Sequence, residues 1–164
     1  MESTQEVVYF FGEKKKNGYF SQFYPCEFID ENEIKYNCCE QFMMAMKAKV
    51  FKDETIMNKI LEETSPIKIK KLGRLIKNFN EQIWDENKRE IVFTGNYLKF
   101  NQNPELKEKL LETNGKQLAE ASPYDKIWGI GISEKDARGG KEWKGQNLLG
   151  KALMEVREIL NKYN

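Results

Sequence analysis

The chain has 164 residues, 40% hydrophobic and 32% charged, a composition that suits a globular protein able to bury a substantial core. Its 27 basic and 26 acidic side chains leave a net charge of +1, which gives no argument for an extended nucleic-acid or membrane surface, and no apolar run approaches the roughly 20 residues of a membrane span. There is no histidine, and the only cysteines are Cys26, Cys38 and Cys39, so Ser-His-Asp and Cys-His nucleophile machinery, histidine metal sites, a disulfide framework and a four-ligand zinc site are all excluded. Sparse cysteine and a polar start, Met1 to Glu6, with no signal-peptide pattern predict a reduced, cytoplasmic protein. Acid–base chemistry must then come from Asp, Glu, Lys, Tyr or Cys.

In chain order, Val7 to Phe11 reads as a short strand, followed by a polar turn from Gly12 to Gly18. Phe20-Ser21-Gln22-Phe23-Tyr24-Pro25 is rich in rings. Cys26 to Ile29 and Glu33 to Tyr36 flank Asp30-Glu31-Asn32, the pattern of a hairpin with a polar turn. Asn37 is placed to cap a helix running to about Phe51, with Glu40 as the acid reaching back to it. Met43, Met46 and Val50 form one stripe of that helix, assigned to the core. Glu40, Met44 and Lys47 form another; Glu40 and Lys47, two turns apart, are about 10 Å from each other along the axis and can line one cleft.

Asp53 caps a second helix through Glu62, and Ser65-Pro66 starts a third. The third is expected to place Ile69, Leu72 and Ile76 on an apolar side and Lys70, Arg74 and Lys77 on a basic one. Asn80 caps a longer helix to about Asn101, with Trp84, Ile91 and Leu98 on one face, Arg89 elsewhere, and Gly95 marking a close approach. Asn103-Pro104 opens a helix that ends at Gly115, and Gln117 to Ala121 is a short strand. Ser133 to Gly145 reads as a surface loop holding Trp143. Asn147 caps the last helix, whose buried stripe is Leu149, Leu153, Val156 and Leu160. No repeat or linker interrupts the chain. The fold class is therefore α+β: a mainly helical single domain, residues 1–164, with a few short strands.

The stretch from Leu118 to Ile132 gathers two acids, Glu120 and Asp125, and two rings, Tyr124 and Trp128, around Ser122-Pro123 and Gly129-Ile130-Gly131. Such a turn suits a ligand pocket, and equally an ordinary strand–turn–strand with Trp128 as a core ring. Taken with Phe20 to Pro25, Glu40-Gln41-Phe42-Met43 with Lys47-Ala48, Ser65-Pro66 with Lys71-Leu72-Gly73-Arg74, Trp84 with Arg89, Lys99-Phe100 with Gln102-Asn103-Pro104, and Trp143 with Gly145 and Asn147-Leu148-Leu149-Gly150, it resembles the NADAR (YbiA-like) family. The resemblance runs from about Phe11 to Leu160 in the family's order and spacing. One departure is Gln41, where many members carry histidine.

That resemblance implies an N-glycosidase, hydrolysing a bond between ribose C1 and nitrogen. Two substrate groups are attached to the family: ADP-ribose linked to guanine bases, in which DNA or RNA is the carrier, and the ribosylamino-pyrimidine phosphate intermediates of riboflavin synthesis. The reaction passes through an oxocarbenium-like state and needs negative charge near C1, a base for water and a proton for the leaving nitrogen. It requires no metal and no cofactor, and no membrane partner is expected. The catalytic candidates are Glu40 beside the anomeric carbon, whose competing role is the helix cap, Asp125 as second acid or ribose ligand, whose competing role is an Asx turn, and Lys47 as proton donor, phosphate ligand or carboxylate partner. The substrate-binding candidates are Phe20, Tyr24 and Trp128 for stacking, Lys71, Arg74 and Arg89 for phosphate, Glu120 as a third acid, and Asn147 through its amide and the helix N-terminus, where capping is the competing role. Cys39 is set aside as a nucleophile because nothing can activate it. A non-catalytic reader of ADP-ribose is the alternative of another class.

Overall fold

Where the sequence offers a capping side chain, a helix usually starts. The computed structural model describes residues 6–163 and contains, in chain order, β1 (Val7–Phe10), a 3-10 turn (Gly18–Phe20), β2 (Phe28–Ile29), β3 (Lys35–Tyr36), α1 (Cys39–Val50), α2 (Glu54–Glu62), α3 (Pro66–Gly73), α4 (Glu81–Gln102), α5 (Pro104–Leu111), β4 (Gln117–Glu120), α6 (Glu134–Arg138) and α7 (Leu148–Lys162). The rest of the polar N-terminal stretch, residues 1–5, lies outside the described residues. The fold is α+β and mainly helical, as expected. No helix among the described residues is long and apolar enough to cross a membrane.

Three caps act as the sequence predicts. Asp53, Ser65 and Asn80 accept the N–H groups of Ile56, Lys68 and Ile83 at the starts of α2, α3 and α4. The start of α1 differs. Cys38 is the cap and its side chain makes no capping bond. Gln41, not Glu40, reaches back: its Oε1 accepts the Asn37 N–H at 2.7 Å. Its Nε2 donates to the carbonyls of Ile60 (3.0 Å), Leu61 (3.3 Å) and Glu63 (3.1 Å) at the end of α2. One amide thus closes the open ends of two helices.

The chain divides into two compact units, the first formed by residues up to Tyr24 and from Pro104 onward, the second by Pro25–Asn103. In the second unit β2 and β3 form an antiparallel hairpin, Phe28 opposite Tyr36. The rings of Phe28, Tyr36 and Phe42 pack together, with centroids 5.0 to 6.0 Å apart. Helix α1 packs against α2, α3 and α4. Gly95 allows this on α4, because a Cβ there would sit 2.7 Å from Phe42 Cδ1. The buried face of α4 is Val92, Gly95, Asn96, Lys99 and Phe100, not the Trp84–Ile91–Leu98 stripe; Trp84 is buried but Ile91 and Leu98 are only half so. On α1, Met43 is buried as expected, while Met46 and Val50 are half-buried and Phe42, Met44, Ala45 and Ala48 complete the core. Helix α3 stops at Gly73, so Arg74 caps it and Lys77 lies beyond; the expected basic face does not continue. The Lys77 N–H instead donates to Asp53 Oδ2 at 2.9 Å.

In the first unit β1 and β4 run parallel, Val7 opposite Gln117 and Phe10 opposite Glu120. Helix α7 covers β4 and buries Leu149, Leu153, Val156 and Leu160, the predicted stripe. Gly150 allows this contact, since a Cβ there would overlap the Leu118 carbonyl oxygen. Helix α5 ends at Leu111 rather than at Gly115, which turns the chain at φ +83°. The expected loop from Ser133 to Gly145 contains α6, capped by Ser133, and Trp143 packs against a core of Tyr9, Ala119, Ala121, Ile130 and Ile132.

Candidate active site

Glu40 stands in the first turn of α1 and is 7% exposed. Gln41, its neighbour, holds the Asn37 N–H. Lys47 follows two turns later, half-buried, donating from Nζ to the Gly73 carbonyl at 3.1 Å. Its ammonium lies 4.8 Å from the ring centroid of Phe79 and 5.6 Å from that of Trp84. Burial pushes the Lys47 proton affinity below the ordinary lysine range; the Glu40 carboxylate pulls it back and the Arg74 guanidinium pushes it further down. The second unit therefore brings Glu40, Lys47 and Arg74 into one electrostatic group. Arg74 and Lys71 are exposed at and just before the end of α3, and Arg89 is exposed on α4.

The cysteines beside Glu40 are unsuited to nucleophilic work. Burial pushes the Cys38 thiol up to about 11 and the Cys39 thiol higher still. The Cys39 Sγ donates to Asn96 Oδ1 at 3.5 Å.

In the first unit, β4 leads into the loop that carries Asp125 and Trp128. Asp125 Oδ1 accepts the N–H groups of Ile127 and Trp128, both at 2.9 Å. The Asx turn is therefore real, and it uses one of the two carboxylate oxygens. The Trp128 ring is half-buried. Glu120 joins the loop to β4 through its carbonyl, which accepts the Ile130 N–H at 2.8 Å. Tyr24 is half-buried, whereas Phe20 is fully buried against Phe10 and Tyr19, with centroids at 5.7 and 4.7 Å. Phe20 is thus a core ring and offers no open face to a ligand.

Asn147 is also structural. It sits at the start of α7 in the left-handed region, φ 54°, and makes no capping bond. Its Oδ1 accepts the Glu120 N–H at 3.2 Å and its Nδ2 donates to the Leu118 carbonyl at 2.9 Å. The helix N-terminus is occupied too. The Leu148 and Leu149 N–H groups donate to the carbonyls of Ile127 and Trp128, both at 3.1 Å. Loop and helix are stitched together, so neither the amide nor these donors is open to phosphate. The first unit thus gathers Glu120, Asp125, Trp128 and Asn147, with Asp125 and Trp128 as the members suited to a ligand.

Sequence reasoning missed Phe79, which lies in a loop between two helices, and Lys99, fully buried with its ammonium 4.9 Å from the Phe100 centroid. Asn96 and Lys99 break the apolar period of that face, so spacing alone does not single out the buried lysine. Among the described residues, no group of three or more acids and cysteines could hold a metal ion. A carboxylate, a partly desolvated ammonium and a guanidinium form a set that can stabilise developing positive charge, deliver a proton and hold an anionic group.

The description of the NADAR domain family matches residues 9–161. The chain is 47% identical over 164 residues to N-glycosidase R617 of Acanthamoeba polyphaga mimivirus, covering 94% of this chain and 96% of that one. It is 28% identical to the riboflavin biosynthesis protein VVA0006 of Vibrio vulnificus, covering 97% of this chain but 40% of that longer protein. Its fold matches the NMR structure of the E. coli protein YbiA with a TM-score of 0.81 and 26% identity, over 99% of this chain and 89% of that one. A family match through both units, joined to a near full-length relative named for its activity, places the chain in the NADAR domain family as an N-glycosidase.

Proposed function

We propose that this N-glycosidase acts on ADP-ribose linked to guanine bases in nucleic acid, releasing ADP-ribose and restoring the base. The observation that carries the reading is the placement of Glu40 and Lys47 two turns apart on α1, electrostatically coupled to each other and to Arg74. Water adds to ribose C1 and the C1–N bond breaks, its electron pair staying on nitrogen. Glu40 supplies the negative charge beside the anomeric carbon. Lys47 gives the proton that the leaving nitrogen needs, a task made easier by its lowered proton affinity. The Glu40 carboxylate takes up the proton that the water gives up as it adds. Arg74, Lys71 and Arg89 hold the phosphates. We place the enzyme in the cytoplasm and read both units as parts of one NADAR domain, a reading supported by a family match that runs through both.

A second substrate, the ribosylamino-pyrimidine phosphate of riboflavin synthesis, is favoured by the likeness to a relative named for riboflavin biosynthesis. A release assay separates the two. The protein and its Glu40→Gln variant are incubated with ADP-ribosylated guanine-containing DNA and, separately, with the pyrimidine phosphate, and products are read by mass spectrometry. Free ADP-ribose with restored guanine, lost by at least about 100-fold in the variant, supports the first reading. Release of ribose 5-phosphate from the second substrate alone overturns it in favour of riboflavin intermediates.

A further inference from the structure

The loop between α3 and α4 carries a phenyl ring that remains 47% exposed although apolar cover is near at hand. Three local devices set its position. The Lys77 N–H is held by Asp53 Oδ2, Asn78 takes a left-handed turn at φ 61°, and Asn80 caps α4 through the Ile83 N–H. Phe79 is thus fixed between two anchored neighbours. Its ring rests on Phe51, with centroids 5.4 Å apart and planes at 59°, and the Lys47 ammonium lies 4.8 Å from its centroid. An ammonium has three donors, and Lys47 gives one to the Gly73 carbonyl.

An exposed ring beside a proton donor has the chemistry to receive a flat, nitrogen-rich base. Stacking takes up the ring's open surface, and the ammonium meets acceptor nitrogens at the base edge. We propose that Phe79 is a specificity-determining residue, the platform on which the leaving base lies within reach of Lys47. The proposal rests on Lys47 acting as the proton donor. It favours a two-ring base over a one-ring base, because the larger base covers more of the phenyl face.

The test compares Phe79→Ala, Phe79→Leu and Phe79→Tyr with the unaltered enzyme. KM and kcat are measured on ribosyl substrates with a purine or a pyrimidine leaving base. Binding of free guanine and free cytosine is measured separately by calorimetry, so the outcome does not depend on turnover. The expected result is a KM and a guanine dissociation constant raised roughly ten-fold in Phe79→Ala, with a smaller change for the one-ring base and kcat less affected. Phe79→Tyr restores both, and Phe79→Leu, apolar but without a π face, does not. Unchanged guanine binding in Phe79→Ala, wild-type behaviour in Phe79→Leu, or no binding of either base by the unaltered protein would overturn the proposal. Base binding that falls in Phe79→Ala while the unaltered protein turns over neither substrate would leave Phe79 standing and remove the substrate reading instead.

Discussion

Gln41 is 2% exposed, and its amide serves two helix ends at once, so replacing it has a calculable effect. Methionine has similar volume and cannot hydrogen-bond in its place. Gln41→Met takes the acceptor from the Asn37 N–H and the amide donor from the Leu61 carbonyl, while the Ile60 carbonyl keeps the Glu63 N–H; each buried group that loses its partner costs about 1–3 kcal/mol. Asn37 is only half-buried, so the sum is taken as about 2–4 kcal/mol. In a chain of this size that lowers Tm by roughly 5–15 °C. Gln41→Glu can still accept from Asn37 but turns its second oxygen toward three carbonyls. Those carbonyls raise the folded-state pKa of the new carboxyl above the ordinary glutamate value of about 4.3. Its stability is then nearest that of the parent protein below about pH 4 and falls further behind as pH rises through the folded value. Gln41→His, which restores the residue common in the family, keeps one acceptor and one donor and is expected to lose less than Gln41→Met. Urea unfolding at several pH values, followed by tryptophan fluorescence, measures all three. A Gln41→Met protein within about 0.5 kcal/mol of the parent, or a pH-independent deficit in Gln41→Glu, would refute the reasoning.

Two further outcomes are expected. Lys47→Met should lower turnover by about 100-fold or more. Because burial lowers the proton affinity of Lys47, the folded chain binds fewer protons there than the unfolded one, so parental stability measured against Lys47→Met should climb as pH rises from the folded value toward the ordinary 10.5; a flat difference would argue against a perturbed lysine. Gly150→Ala should unfold the protein or cost more than about 3 kcal/mol, because the new Cβ meets the Leu118 carbonyl, whereas Gly73→Ala meets only the flexible tip of Met44 and should cost far less; comparable Tm losses would contradict the packing argument.

The parts of the fold encoded in short contiguous signals were legible. Asp53, Ser65-Pro66 and Asn80 each announce a helix within three residues, and the stripe from Leu149 to Leu160 announces a buried face. What could not be read locally depends on distant partners. Asn147 looks like a cap, but its amide is claimed by a strand that precedes it by more than twenty residues. The basic face beyond Arg74 fails because α3 ends at Gly73 and Asp53, the cap of α2, holds the Lys77 N–H. The buried face of α4 was hidden because Asn96 and Lys99 interrupt its apolar period. The electrostatic coupling of Glu40 to Lys47 was legible because one helix spaces them, and the Asx turn from Asp125 to Trp128 because it is local. Phe20 was misjudged because a cluster of rings reads the same whether it faces a ligand or the core.

The parallel pairing of β1 with β4 has a consequence for how the chain acquires its structure. Phe10 cannot meet Glu120 until about 110 further residues have been made, whereas Pro25–Asn103 holds all the strands and helices of its own unit in one contiguous run. Closing so long a loop delays the pairing, and the apolar strand Val7–Phe10 waits unpaired on a growing chain while the central segment can already fold. Pulse-labelled hydrogen exchange during refolding should protect amides of α1 and α4 before those of β1. Stalling synthesis just after Asn103 should leave a folded Pro25–Asn103 segment preceded by an unpaired apolar strand, a species that a chaperone would shield from edge-to-edge aggregation.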